Sequence, residues 1–467
     1  MTIINAMNDD EDGLAILAFK VQALQFDLNR DMKFISMKDQ LIRGRTLILA
    51  AHHAGLISPK MMTKTDEANV IVIGGGIGGV SAALMACELG LSVKLVDAAS
   101  ECFSLLGLGS DRLFSATVYD WPHEHSGNHA FPYMDPLRDK VTAAHLRSTA
   151  AALRFPAKAM VGSDLRKTFL DQLSNYKVKY AGSLDVLCNH RIDDMGDISS
   201  NTASKTVLVK VTNEFSAKYL KSQIVVFALG FGLDKSSAQT AAARDFFSYS
   251  GLEVDISKAL SGNRVVRIIG AGDGGLQEAL RFVLDDAWHD LHRCISELRN
   301  ILAVSGHEAW WSQMCGRIQS AEDQAVRTLM WGYTEQCVYK ELEQLYQREI
   351  DKLLEIAPNE IANWYAKVVR KVDLEIQLVD QCTYSMKAYG LNRWLTGLLQ
   401  RPSIAGAGMA RLLRIVPAEV SGVAAIELSR MGFAATEKQM QIGTADASDL
   451  LRRIAFQAIP MNLDPII

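Results

Sequence analysis

A run of four apolar residues, Val70, Ile71, Val72 and Ile73, leads directly into Gly74, Gly76 and Gly79. The same order returns 196 residues later, where Val265, Val266, Ile268 and Ile269 precede Gly270, Gly272 and Gly275. A continuous β-branched run suits a strand buried on both faces of a parallel sheet, where no polar face is needed. Each position of the G-x-G-x-x-G spacing that follows has a physical purpose. The first glycine permits the tight turn out of the strand, the second lets backbone approach a diphosphate, and the third allows the next helix to lie close to the strand. Gly78 stands beside Gly79 in the first loop. One such spacing is a weak signal. Two of them, each between a strand and a helical pattern, point to an α/β fold with two Rossmann-like dinucleotide-binding domains.

The first unit is complete in sequence. Val80 to Leu89 is helix-compatible, Gly90 stops it, and Ser92 to Val96 reads as a second strand ending at Asp97. Asp97 falls 18 residues beyond Gly79, where a carboxylate can accept hydrogen bonds from the hydroxyls of an adenosine ribose. The helix N-terminus offers its unpaired N–H groups and partial positive charge to the diphosphate. The second unit is interrupted. A helical pattern through Leu276, Leu280 and Phe282 passes into residues 283–367, which keep helical spacing with no strand, and a strand-like run returns only at Leu374 to Val379, ending at Asp380. Leu95-Val96-Asp97 and Leu378-Val379-Asp380 therefore read as equivalent strand ends. Asp380 would repel a ribose 2′-phosphate and favour NADH over NADPH. Arg370, Lys371 and Arg393 flank the same strand and keep a cationic phosphate clamp open as the alternative.

Length and composition set the remaining layout. A chain of 467 residues and 51.4 kDa has room for about two to four domains. Leu14, Leu17, Val21 and Leu24, then Ile35, Leu41, Ile42 and Leu49, recur at helical spacing, so residues 1–68 are expected to form an N-terminal helical extension, a cap on the core or a dimerisation arm. Residues 69–262 form the first domain, 263–282 with 368–450 the second, 283–367 a helical insertion in it, and 451–467 a C-terminal tail. Five of the seven tryptophans lie in the insertion, which suits a substrate lid or a plain helical core. At 49% apolar and 22% charged the chain has globular composition, and a net charge of -4 leaves no basic field for nucleic acid. The seven cysteines lack C-x-x-C spacing and read as reduced core thiols. The acidic N-terminus is no secretory signal, and the uncharged stretch Asn69 to Cys87 fits a soluble strand and loop, so a cytoplasmic location without a membrane partner is expected. His123 and His125 flank Glu124, but no further ligand set accompanies them and no metal is expected.

Between the glycine loops, a helix from Leu165 to Leu173, a strand from Leu184 to Leu187 and an alternating run from Thr206 to Val211 lead to the apolar strand Ile224 to Ala228, closed by Leu229, Gly230, Phe231 and Gly232. With the two loops, this resembles the two-dinucleotide-domain flavoprotein superfamily, which includes thioredoxin-reductase-like enzymes and flavin monooxygenases. The resemblance spans roughly residues 69–282 and 372–428. In that superfamily a β-meander precedes a strand ending in an A-T-G-type turn beside the cofactor. Here Leu229 replaces the usual Thr, which keeps the backbone role and loses the hydroxyl. The resemblance implies FAD at Gly74, Gly76, Gly78, Gly79, Asp97 and the Gly230 turn, with Arg112, from the irregular stretch after Asp97, against the diphosphate and flavin. It implies NAD(P)H at Gly270, Gly272, Asp273, Gly275 and Asp380, unless Asp273 serves the flavin instead, a duty for which Gly443 to Asp446 is the rival. The implied activity is that of an FAD-dependent oxidoreductase, a monooxygenase or reductase on a small organic substrate, with no assignable catalytic acid or base. An amine or amino-acid oxidase without nicotinamide, a dehydrogenase without flavin and a non-catalytic nucleotide-binding protein are the alternatives. A disulfide reductase is disfavoured, since no cysteine pair lies where it could exchange electrons with the flavin.

Overall fold

The computed structural model describes residues 16–17, 19–28, 37–59, 64–108, 112–122, 153–154, 159–230, 251–262, 265–329, 335–371, 374–379, 388–401, 413–416, 424 and 426–429. Asp380, His123, Glu124, His125, Trp331, the stretch 443–446 and the C-terminal tail lie outside them. Among the described residues no helix is long and apolar enough to cross a membrane.

The first unit contains, in chain order, β1 (Lys20–Gln22), β2 (Gln25–Asp27), α1 (Met37–His53), β3 (Val70–Ile73), α2 (Ile77–Glu88) and β4 (Val93–Val96). Next come β5 (Leu113–Phe114), α3 (Ala116–Asp120), β6 (Met160–Val161), α4 (Gly162–Lys179) and β7 (Leu184–Leu187). A meander of β8 (Ile198–Asn201), β9 (Thr206–Thr212) and β10 (Ala217–Ser222) leads into β11 (Ile224–Phe227). The main sheet runs β1-β2-β11-β3-β4-β7, parallel throughout except for β1 at its edge. Every residue of β3, β4 and β11 is buried, as strands covered on both faces require.

The N-terminal segment departs from the all-helical expectation. Leu14 to Leu24 has helical spacing, yet Lys20–Asp27 folds as a hairpin that turns at Leu24, with Lys20 opposite Phe26. β2 pairs in parallel with β11, Gln25 against Val225 and Asp27 against Phe227. This long-range pairing buries Val21 and Phe26 and outweighs local helical preference. Residues 37–53 are helical as expected, and α1 crosses α2 at very short range. A Cβ added at Gly44 would lie 2.4 Å from the carbonyl oxygen of Gly78, and Ser81 Oγ donates to the carbonyl of Leu41 at 2.7 Å. The segment before Asn69 is therefore a crossover, β2–α1–β3, that widens the first sheet.

The second unit follows α5 (Leu252–Ser261) and opens with β12 (Val265–Ile269) and α6 (Asp273–Val283). Four further helices form the insertion: α7 (Leu291–Val304), α8 (Glu308–Leu329), α9 (Glu335–Ile356) and α10 (Pro358–Val368). Then come β13 (Glu375–Val379), α11 (Gly390–Leu399), β14 (Leu413–Val416) and β15 (Ile426–Ser429). The sheet is parallel in the order β14-β13-β12-β15, which repeats the arrangement β7-β4-β3-β11 of the first. Even the register agrees: Ile73 lies opposite Val96, and Ile269 opposite Val379. In the insertion Trp288, Trp311 and Trp364 are buried, and Trp364 Nε1 donates to the carbonyl of Cys294 at 3.2 Å. These rings serve the helical core.

Candidate functional site

The two glycine loops have nearly the same backbone. Gly74 and Gly270 have φ of 111° and 105°, in the left-handed region that favours glycine. A Cβ at Gly79 would lie 1.9 Å from the carbonyl oxygen of Gly74, and one at Gly275 would lie 1.9 Å from that of Gly270. Close helix-to-strand packing thus demands both glycines. Gly76 and Gly272 differ from these: each caps its helix in extended conformation without a side-chain cap, and a Cβ on either would meet nothing within 4 Å. The space above each helix N-terminus is open, as a diphosphate cradle requires. Gly78 faces elsewhere, toward Gln40 and Leu28.

Asp97 is built into the first loop. Its Oδ2 accepts from the N–H of Gly75, and its Oδ1 accepts from the N–H of Ala99 at 2.7 Å. An ionised carboxylate has about four acceptor positions, so capacity for ribose hydroxyls is left. The Ala228-Leu229-Gly230 turn abuts the same loop. Ala228 N–H donates to the carbonyl of Ile73 at 2.7 Å, Gly230 has φ of 79°, and Leu229 is 46% exposed.

Arg112 is placed on the second unit. Its guanidinium forms a buried ion pair at 2.5 Å with Glu278, on the helix that starts at the second glycine loop. Glu278 was missed in the sequence. The signal was available as a carboxylate on the apolar face of α6, between Leu276 and Ala279, where an isolated charge is costly. Asp273 is equally engaged, its Oδ1 accepting from the backbone N–H of Tyr389 and from Asn392 Nδ2, both at 2.7 Å. It thereby ties the second loop to the first turn of α11. Of the cations offered as a phosphate clamp, Arg393 pairs with Glu322 and Arg370 with Asp286, while Lys371 is exposed.

Cys102 and Cys188 lie close together, and a Cβ at Gly75 would lie 2.8 Å from Cys102 Sγ. Burial pushes both thiols up, so they stay protonated and poorly nucleophilic. The pair sits beside Asp97, at the ribose end of the loop. Among the described residues no group of three or more His, Cys, Asp or Glu is placed to hold a metal ion.

His289 lies beside the C-terminal end of α6, with Asp286, Arg281 and Arg370 around it. Burial, reinforced by the two guanidinium groups, brings its ring down to about 4. The folded-state value thus lies below the unfolded value of about 6.5. The associated stability is fully present above that unfolded value and is lost as pH falls toward the folded one. From about pH 7 to about pH 4 the loss should approach 3 kcal/mol. Denaturant unfolding across this range should show a shallower decline in His289→Gln; parallel curves for the two proteins would refute the assignment.

The family model for the alanine dehydrogenase/PNT C-terminal domain matches residues 47–107, which include the first glycine loop and Asp97. No curated protein matches the sequence. Among solved structures, the chain is similar to thioredoxin reductase from T. acidophilum at 18% identity, over 46% of this chain and 53% of that one, with a TM-score of 0.27. A flavin-containing monooxygenase from Stenotrophomonas maltophilia matches at 19% identity, over 46% and 55%, with a TM-score of 0.29. An oxidized steroid monooxygenase bound to NADP matches at 11% identity, over 80% and 73%, with a TM-score of 0.36. The chain spans about half the length of the first two.

Proposed function

We propose that the protein is an FAD-dependent oxidoreductase whose flavin is reduced by a nicotinamide dinucleotide, and that it acts as a monooxygenase or reductase on a small organic substrate. The observation that carries this reading is the duplicated glycine loop, open above both Gly76 and Gly272. FAD, when bound, supplies the electron-transfer chemistry. The chain's own residues bind and orient. The first-turn N–H groups of α2 hold the diphosphate, while Asp97 accepts from the ribose and, through Gly75, holds the loop in shape. Leu229 offers an apolar wall beside the loop. The second loop takes the nicotinamide dinucleotide at the N-terminus of α6. NADH is preferred over NADPH, since two of the three clamp cations, Arg370 and Arg393, are already held by carboxylates.

The purified protein should be yellow with bound flavin and should bleach on anaerobic addition of NADH. Gly272→Val should retain the colour and lose the bleaching. Loss of flavin from that variant would reassign the second loop to the flavin. Bleaching by an amino acid alone would favour an oxidase, and a colourless protein without flavin affinity would defeat the reading.

A further inference from the structure

Residues 112–121 belong by connection to the first unit and by packing to the second. On the first unit they are tied by β5 against β6, with Leu113 opposite Val161 and Phe114 opposite Met160. The carbonyl of Arg112 also accepts from the N–H of Gly162 at 3.0 Å. Gly162 opens α4, so this end of the segment is anchored to a helix of 18 residues. Upstream, the chain meets the first glycine loop, where the N–H of Phe103 donates to the carbonyl of Gly75 at 3.0 Å.

The same residues grip the second unit along their whole length. Arg112 pairs with Glu278 on α6, and α3 packs on both α7 and α11. Thr117 Oγ1 shares a hydrogen bond at 2.7 Å with Nδ1 of His292, in the first turn of α7. The Tyr119 ring meets that of Tyr389 edge-on with centroids 5.1 Å apart, and Trp121 packs on Trp394 at 5.7 Å. The backbones approach as well, since a Cβ at Gly390 would lie 3.3 Å from the carbonyl oxygen of Trp121. Arg112, Thr117, Tyr119 and Trp121 are all buried, and tilted or edge-on ring pairs are directional contacts. Their targets adjoin the second glycine loop: α6 starts there, and Tyr389 donates its N–H to Asp273 within it.

We infer that residues 112–121 form a clasp that holds the second glycine loop at a fixed place relative to the first, with Thr117 and Tyr119 as positioning residues for transfer between the two nucleotides. That a transfer occurs rests on the oxidoreductase reading; that the loops are held does not. On that reading a hydride leaves the reduced nicotinamide, which is oxidised, and bonds to the flavin, which is reduced with one further proton from water. Such a step needs reacting atoms roughly 3–3.5 Å apart, and a misplacement of about 1 Å can cost on the order of 100-fold in rate.

The test sets the full-length protein beside two double variants. Thr117→Val with Tyr119→Leu loses the hydroxyl and the ring while keeping apolar volume, and Thr117→Ser with Tyr119→Phe keeps both. Spin labels carried by ketone side chains introduced at Val178 on α4 and Val254 on α5, both exposed, report the distance between the units by pulsed electron paramagnetic resonance. α5 follows α6 because Glu253 pairs with Arg281. The parent and the conservative variant should each give one narrow distance distribution that neither FAD nor NADH shifts, and the other variant a broader or displaced one. That variant should keep the parent's affinity for FAD and NADH within about twofold, yet bleach at least about tenfold more slowly under anaerobic mixing, whereas the conservative variant bleaches at the parent's rate. The inference is overturned by two populations in the parent, by a shift on adding NADH, or by a distribution in Thr117→Val with Tyr119→Leu as narrow as the parent's. Bleaching at the parent's rate in that variant, or slowing that merely follows weaker NADH binding, also overturns it. Should that variant fail to fold, the parent's distribution with and without NADH decides. A parent that never bleaches removes the oxidoreductase reading alone, and the distances still decide the clasp.

Discussion

Arg112→Leu is expected to destabilise the protein by about 3–5 kcal/mol, among the largest single-residue effects the structure implies. Arg112 and Glu278 are both buried, with side chains 5% and 0% exposed. Removing the guanidinium leaves a carboxylate in the interior without its partner, and that desolvated charge, more than the lost attraction, sets the size of the effect. The double variant Arg112→Leu with Glu278→Leu should recover most of the loss, because two apolar residues remove the stranded charge together. A urea-unfolding midpoint is the measurement. A single variant within about 0.5 kcal/mol of the parent would mean that water reaches Glu278 and that the pair is not buried in solution.

The second large effect separates two glycines three residues apart. Gly79→Ala should lower stability by more than about 3 kcal/mol, since its Cβ would sit 1.9 Å from a backbone carbonyl that the strand cannot move. Gly76→Val should fold almost normally, with φ of -73° and open space around the new side chain. Its flavin affinity should nevertheless fall by at least tenfold, roughly the worth of one lost charge-assisted hydrogen bond to the diphosphate. Thermal unfolding without cofactor and flavin titration distinguish the two. If Gly76→Val binds flavin as the parent does, the space above it is not a cradle. The same contrast applies to Gly275→Ala and Gly272→Val in the second unit.

What could be read from the sequence was whatever local pattern determines. β3 and β12 announce themselves as β-branched runs, and the glycines that follow obey steric rules that act within six residues. Asp97 was legible by its distance from Gly79. The match between Leu378-Val379 and Leu95-Val96 was visible despite the insertion, and the strand registers agree with it. What was not legible depends on partners far along the chain. Lys20–Asp27 has helical spacing and becomes a hairpin only because β11 pairs with it. Arg112 has no local feature that names Glu278, and nothing in their spacing brings Cys102 beside Cys188. Arg370 and Arg393 look like free cations in sequence, and their carboxylates lie on other elements.

The position of β11 has a consequence for the order in which this chain can assemble on the ribosome. β11 leaves the exit tunnel long after β2 and β3, yet in the finished sheet it lies between them. The hairpin at Lys20–Asp27 must wait through the synthesis of nearly 200 residues before its neighbour arrives, a delay set by topology and not by local propensity. Until then β3 keeps an unsatisfied edge that invites pairing with other nascent chains, so slowed translation before Ile224 should raise aggregation more than slowing after it.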